Sequence, residues 1–349
     1  MQFNSEIKIG PKTISDYAKT FIIAEAGVNH NGDMTLAKKM IDVAVEAGVD
    51  AVKFQTFKVD HLILKNIQKA PYQKITTDRG ESQYEMLKRL ETGKEDTIEL
   101  MEYCRKKRII FLSTPFEKES LDELDELGVT AFKIAATDLT NIQFLRQVAE
   151  KGKPIILSAG MCYLEEVRRA IETLYPINKN VILLQCTANY PIQDAEANIN
   201  VIRTFKETFD ILVGYSDHSQ GIGASPYAVA VGAKVIEKHF TLDKTMEGPD
   251  HRASVTPEEL KRLVSDIRRV ERYLGDGIKI PSSSEQMTRK SLQKCLVASK
   301  SIKMGELFNG KNIVAKRTNG AGISALYFDD MIGRIATKDY KADDIISLD

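Results

Sequence analysis

Eight short, continuously apolar runs recur between about residue 20 and residue 273, separated by amphipathic stretches, and they limit the fold more tightly than anything else in the chain. They are FIIAE (21–25), DAVKFQ (50–55), IIFLS (109–113), TAFKIA (130–135), PIILSAG (154–160), VILLQCT (181–187), ILVGYS (211–216) and KVIEKHF (234–240). Runs that are apolar throughout read as parallel strands covered on both faces. Between them, TLAKKMIDVAVEA (35–47), ESLDELDEL (119–127) and LEEVRRAIETL (164–174) carry the spacing of helices packed by one face. Four helix-to-strand junctions, EAGVDAVKF, ELGVTAFKI, EKGKPIILS and AVGAKVIEK, place Gly directly after the helix, where a left-handed residue costs least. A βα unit of about 30 residues, repeated eight times, predicts an α/β fold of the (β/α)8 TIM-barrel type. The rival is a doubly wound open sheet, but EAGVNHNGD after the first strand lacks the G-x-G-x-x-G spacing of a dinucleotide turn.

Two segments fall outside this repeat. Residues 57–94, including KAPYQK and ESQYEML, are too long for a simple connection at the carboxyl end of a barrel strand, and the reading is a substrate lid. The Gly, Pro and Ser of LGDGIKIPSSSE (274–285) mark a linker. The expected division is a barrel over 1–275, a linker over 276–289 and a small β-rich module over 290–349, in which SIKMGELFNGKNI reads as turn, strand and turn. A module that short lies near the lower size limit for folding alone, so it is expected to lean on another surface.

Composition excludes some functions. Lys+Arg and Asp+Glu are 49 each, so there is no basic excess for nucleic acid or an anionic membrane, and any anion site must be a local pocket. The four cysteines, Cys104, Cys162, Cys186 and Cys295, include no C-x-x-C pair and no disulfide framework. MQFNSEIKIG has no apolar signal core, and no apolar run approaches the roughly 18 residues of a membrane span. The expectation is a soluble, cytoplasmic protein.

Catalytic side chains of a barrel sit at the carboxyl ends of its strands. Those ends carry Glu25 with Asn29 and His30, Lys53 with Gln55, Ser113 with Thr114, and Lys133 with Asp138. Next come Ser158, then Thr187, Asn189 and Tyr190, then Ser216-Asp217-His218, and last Glu237-Lys238-His239. Lys53 and Lys133 each interrupt an apolar strand, where an uncompensated charge costs several kcal/mol. Each alone reads equally as a lysine paired inside the barrel, for instance to Glu25. At matching points of two strands they point toward an anion such as phosphate or carboxylate. His218 and His239 end neighbouring strands, and their spacing leaves three roles open: sharing a divalent metal, acid–base work, or simple hydrogen bonding. His30 lies in a segment, NHNGD, that also reads as a turn and helix cap, and His61 reads as a solvated loop residue. Asp250, on a Gly-Pro turn in EGPDHRAS, is a site candidate or a turn former.

In order along the chain, IAEAGVNHNGD, AVKFQTF, FLSTPF, FKIA…D…TN, ILSAGM, CT..YP, VGYSDHS, VIEKHFTLD and GPDHRAS resemble the sialic acid synthase family, the enzymes that make nonulosonic acids. The stretch around KRTNG (316–320) resembles the antifreeze-like (SAF) module that follows the barrel in that family. The resemblance implies condensation of phosphoenolpyruvate with an N-acetylmannosamine-like aldehyde sugar, giving a nine-carbon 2-keto acid and phosphate with C–O cleavage. It implies a divalent metal, Mn2+ in the first instance with Mg2+ or Co2+ as alternatives, on the residues matching His218 and His239. Lys53, Thr114, Lys133, Ser158 and Ser216 match phosphoenolpyruvate-binding positions, and Glu25 and Asp138 match catalytic ones. Gln55, Tyr190 and Asp250 match sugar-side positions, and Arg317 matches an arginine that reaches the partner's barrel in a domain-swapped homodimer.

The chain departs from the family's usual pattern where Ala136 replaces a serine, Asp138 a glutamate and Ala188 an asparagine, and where STG becomes SAG at 158–160. Shortening Glu to Asp withdraws a carboxylate by about 1.5 Å, which points to a different sugar or a weaker activity. The KAPYQK…ESQ stretch is closer to legionaminic acid synthases, and a 2,4-diacetamido-trideoxyhexose, leading to legionaminic or pseudaminic acid, is the alternative substrate. Two rivals remain: a Schiff-base aldolase using Lys53 or Lys133, and a barrel kept only as a scaffold.

Overall fold

The computed structural model describes the whole chain except residues 72, 79, 348 and 349 and the side chains at 75 and 76. It divides into two compact units, Met1–Gly275 and Asp276–Asp349.

In the first unit, a hairpin of β1 (Glu6–Ile9) and β2 (Lys12–Ser15) precedes eight parallel strands. These are β3 (Phe21–Gly27), β4 (Ala51–Thr56), β5 (Ile110–Pro115), β6 (Phe132–Ile134), β7 (Ile155–Ser158), β8 (Val181–Cys186), β9 (Leu212–Asp217) and β10 (Val235–His239). Their order is β5-β4-β3-β10-β9-β8-β7-β6, and β5 lies beside β6, so the sheet curls round into a TIM barrel. Helices over Met34–Ala47, Lys118–Glu126 and Leu164–Leu174 match the amphipathic stretches. The first begins on Asp33, which accepts from the Thr35 and Leu36 N–H groups, and ends on Gly48 at φ +76°, a left-handed cap of the kind the junctions predict. Among the described residues, no helix is long and apolar enough to cross a membrane.

The strands pack on both faces, and their twofold alternation decides which face each residue serves. Ile23, Ala51, Leu112, Ala131, Ile156, Ile182, Leu212 and Val235 turn into the barrel, whereas Ile22, Val52, Phe132, Leu183, Val213 and Ile236 turn out to the helices. Ile7, Ile9 and Ile14 of the hairpin complete the inner core. The sequence reading did not find this hairpin, although EIKI alternates as a strand should. Continuing each inward series toward the carboxyl end brings polar side chains to the top: Ile23 gives way to Glu25, Ala51 to Lys53, Leu112 to Thr114, Ala131 to Lys133, Ile156 to Ser158 and Val235 to Glu237.

The second unit has its own core of Leu296, Ile302, Phe308, Met331, Tyr340 and Ile346 around an antiparallel pair, β11 (Lys294–Ala298) and β12 (Ile313–Arg317). Part of the stretch expected to be linker is a helix, Ser283–Leu292, capped by the Ser282 hydroxyl. SIKMGELFNGKNI forms isolated bridges, Ile302 to Tyr340 and Leu307 to Ile335, where a strand was expected.

Candidate active site

A cavity of about 410 Å³ opens at the carboxyl end of the barrel. Its floor is an ion cluster. Lys53 Nζ lies 2.9 Å from Glu25 Oε2 and 3.8 Å from Glu237 Oε2, and it donates to Thr114 Oγ1 at 2.8 Å. Lys133 Nζ lies 3.5 Å from Glu237 Oε1, which also accepts from Ser216 Oγ at 3.1 Å. All four charged side chains are at most 5 % exposed. Burial disfavours charge on each of them, and their neighbours decide the outcome. Lys133 and Lys53 on either side overcome burial at Glu237 and hold it below the usual carboxylate range. Burial wins at Glu25, whose carboxyl is pushed up to about 7 with Glu237 adding repulsion. Burial also lowers Lys133, whereas Glu237 and Glu25 keep Lys53 above its ordinary value despite burial. The cluster therefore combines one lysine held above its ordinary pKa and one held below it with one carboxylate held low and one carboxyl that titrates near 7. Among the described residues, Ser158 Oγ and His239 Nδ1 find no hydrogen-bond partner, and the oxygens Glu25 Oε2 and Glu237 Oε2 are met only by the Lys53 ammonium.

His218 and His239 stand above this floor with ring centroids 5.5 Å apart, and Tyr190 packs on both, 4.0 Å from His218 and edge-on at 5.5 Å from His239. Burial lowers His218 to about 4 and His239 well below its ordinary value, so both rings are neutral at pH 7, the form that binds a metal. The His218 Nδ1–H donates to the Thr187 carbonyl oxygen at 2.8 Å, which leaves Nε2 as its lone-pair nitrogen. With the orphaned Nδ1 of His239, two nitrogens suit a divalent ion, and the chain supplies no third ligand among the described residues. One three-ligand group does exist elsewhere: His61, Glu117 and Glu119, with ligand atoms within 4.8 Å of one another. There the Glu117 carboxylate already caps the 118–126 helix through the Ser120 N–H and takes the Lys58 N–H, and half-exposed His61 pairs with Glu119 at 3.1 Å.

Most of the expected site residues line this one cavity: Glu25, Lys53, Gln55, Thr114, Lys133, Ser158, Tyr190, Ser216, His218, His239 and Asp250. Asp250 is buried, and its carboxyl is pushed up to about 6 by that burial. Asp138 is not among the lining residues: β6 ends at Ile134, the chain turns through Ala136–Asp138, and the carboxylate accepts from Asn141 Nδ2 and Thr137 Oγ1, each at 3.3 Å. Asp217 and Lys238 also leave the polar face expected for them. They alternate outward and pair behind the barrel wall at 3.2 Å. His30 accepts from the Gly32 N–H at 3.2 Å beside the Asp33 cap and does not line the cavity. Arg317 ends β12, exposed within the second unit. The sequence reading placed Glu237 at a strand end but assigned it no role, although its place two before His239 on an inward series was the available signal.

The expected lid borders the cavity with Phe57, Leu62, Ile63, Met86 and Leu87.

A model of the NeuB family matches residues 40–279. The chain belongs to the NeuB family. A SAF domain model matches 293–349. N,N'-diacetyllegionaminic acid synthase of Campylobacter jejuni is 49% identical over 331 residues, covering 94% of this chain and 99% of that protein. The Legionella pneumophila enzyme of the same name is 44% identical, covering 90% and 89%. The N-acetylneuraminic acid synthetase structure from Leptospira borgpetersenii is 37% identical with a TM-score of 0.73, covering 83% of this chain and 98% of that one. Within this NeuB-family barrel two of the departures from the usual pattern, Ala136 and Ala188, flank Gly160. A Cβ placed on Gly160 would stand 3.2 Å from those of Ala136 and Ala188.

Proposed function

We propose that the chain is a nonulosonic acid synthase that condenses phosphoenolpyruvate with the open-chain aldehyde of an acylamino sugar. The observation that carries this reading is the floor, where Lys53 and Lys133 converge on Glu237 within a largely apolar barrel, beside the Ser158 hydroxyl, which lacks a partner. Two buried lysines and one unmatched hydroxyl donor fit a small polyanion better than a neutral ligand. The names of the relatives favour a 2,4-diacetamido-trideoxyhexose over N-acetylmannosamine.

In this reading Lys53 and Lys133 bind the phosphate and carboxylate of phosphoenolpyruvate, with Thr114, Ser158 and Ser216 donating from their hydroxyls. Tyr190 and Asp250 hold the sugar with its aldehyde carbon against C3 of phosphoenolpyruvate. His218 and His239 would hold a divalent metal, Mn2+ first, and its chemistry is Lewis-acid polarisation of the aldehyde oxygen. C3 forms the new C–C bond and a proton passes to the aldehyde oxygen. Water then adds at C2 of the phosphoenolpyruvate unit. Glu25, titrating near 7 next to Lys53, accepts the proton of that water. Collapse of the tetrahedral centre breaks the C2–O bond and expels phosphate. Asp138 serves by bracing the turn after β6, and Arg317 reaches a sugar in a partner's barrel within a homodimer. Phosphoenolpyruvate is a cytoplasmic metabolite, so the reading places the enzyme in the cytoplasm.

The test is phosphate release with phosphoenolpyruvate and a panel of 2-acetamido and 2,4-diacetamido sugars, before and after chelation. Turnover that disappears in EDTA and returns with Mn2+ supports the reading, and full turnover after exhaustive dialysis against EDTA removes the metal from it. Lys133, with its lowered pKa, also suits a Schiff-base nucleophile. Borohydride trapping of a substrate adduct on Lys133 would favour that second reading.

A further inference from the structure

The lid side of the cavity is apolar, yet two carboxamides interrupt it, Gln73 and Gln83. Gln73 is 7 % exposed, and its Oε1 accepts from the Ala70 backbone N–H at 3.0 Å and from Gln83 Nε2 at 3.2 Å. The Gln83 backbone N–H is itself tied to the Ile67 carbonyl at 3.1 Å. Gln83 is thus held at both ends, one N–H of its carboxamide donating to Gln73. Its Oε1 accepts no hydrogen bond among the described residues. Beside it are Met86, 1 % exposed, and Leu87.

A fixed acceptor next to an apolar surface suits one substituent in particular. An acylamino group offers an N–H to the oxygen and a methyl to the hydrophobic wall. A hydroxyl supplies only a donor and leaves the wall uncovered. The reacting aldehyde carbon is committed to the floor and the histidines, so the C2 substituent lies one bond from that chemistry. The substituent with reach toward the lid is the one at C4.

We propose that Gln83, oriented by Gln73, is the specificity-determining residue that accepts the N–H of a C4 acylamino group, so the enzyme selects a 2,4-diacylamino sugar over a 4-hydroxy one. This rests on the phosphoenolpyruvate-condensing function proposed above. Gln73 acts through Gln83 as a positioning residue.

The experiment compares kcat/KM for 2,4-diacetamido-2,4,6-trideoxymannose and for N-acetylmannosamine, at saturating phosphoenolpyruvate with Mn2+. Wild-type enzyme should favour the diacetamido sugar by tenfold or more. Gln83→Leu should lower kcat/KM for the diacetamido sugar about tenfold and so erase most of that preference, leaving the phosphoenolpyruvate KM within about twofold. Gln73→Leu should weaken the preference, and Gln73→Glu, which keeps an oxygen for Gln83 Nε2, should restore it. An unchanged preference in folded Gln83→Leu overturns the proposal. If that variant does not fold, the wild type decides: equal use of the two sugars overturns the proposal and leaves the condensation intact. A wild type that condenses neither sugar with phosphoenolpyruvate overturns the underlying function instead.

Discussion

Strands β3, β4, β6, β9 and β10 carry two buried lysine–carboxylate clusters on opposite faces of one barrel wall. The outward cluster is saturated. Asp217 accepts from the Ser219 N–H and Oγ and from the Ser225 N–H and Oγ, at 2.5–3.0 Å, and pairs with Lys238, which also donates to the Ser219 carbonyl. The inward cluster of Lys53, Lys133, Glu25 and Glu237 is equally buried but incompletely bonded, with the Ser158 hydroxyl unpartnered and Glu25 Oε2 and Glu237 Oε2 met only by the Lys53 ammonium. Buried charge is therefore common to structure and function, and what separates them is whether the surroundings finish the hydrogen bonding. The outward cluster locks the strand ends. The inward one leaves its hydrogen bonding open at the cavity floor, where the proposed phosphoenolpyruvate would bind.

The sharpest way to break this contrast is to remove one charge from each face. Lys133→Ala should lower kcat/KM for phosphoenolpyruvate about a thousandfold, roughly 4 kcal/mol, mostly through KM. The melting temperature should hardly move, because Glu237 keeps Lys53 and Ser216 and a desolvated ammonium is gone. Asp217→Ala should do the reverse, costing about 3–5 kcal/mol of stability by stranding Lys238 and the two serines, with an unchanged phosphoenolpyruvate KM in the folded fraction. Urea unfolding and steady-state kinetics on both variants check the pair. Loss of activity without loss of stability in Asp217→Ala would erase the distinction.

A smaller effect concerns Asp250, a buried carboxyl whose pKa is raised from 3.8 to about 6 by burial. Folding favours its protonated form, so its contribution is complete below pH 3.8 and is lost as the pH rises toward 6. Asp250→Asn should thus be more stable than wild type at pH 7–8 by roughly 1–3 kcal/mol, with the gap closing by pH 4, while sugar KM rises. Urea titrations at several pH values read this out, and a gap independent of pH would show Asp250 to be ionised without cost.

The smallest effect belongs to Ser158. Its hydroxyl has no partner, so Ser158→Ala should leave stability equal or slightly higher, and raise the phosphoenolpyruvate KM about five- to tenfold, near 1 kcal/mol. A destabilised Ser158→Ala would mean that the hydroxyl is already satisfied within the barrel.

The same contrast explains what could be read from the sequence. The barrel was legible because both faces of each strand are covered, which writes each strand as an unbroken apolar run, and because the helix ends carry Gly at positive φ, as Gly48, Gly128, Gly152 and Gly232 do. Lys53 and Lys133 were legible because each breaks such a run. Asp217 and Lys238 misled because a cluster of polar residues at a strand end does not announce its face. The twofold alternation assigns them outward, one residue from Ser216 and His239 that turn in. Asp138 falls where β6 has already stopped after three residues, so no alternation reaches it. The pairing of Gln73 with Gln83 depends on how the lid folds back on itself, which neither composition nor periodicity encodes.

The most direct test of the account follows the bridging oxygen of phosphoenolpyruvate. With that oxygen labelled as 18O and a 2,4-diacetamido sugar as partner, the enzyme with Mn2+ should release phosphate carrying the label, alongside a nine-carbon 2-keto acid. Label retained in the keto acid would place the cleavage at P–O, and the chemistry assigned to the barrel floor would be contradicted.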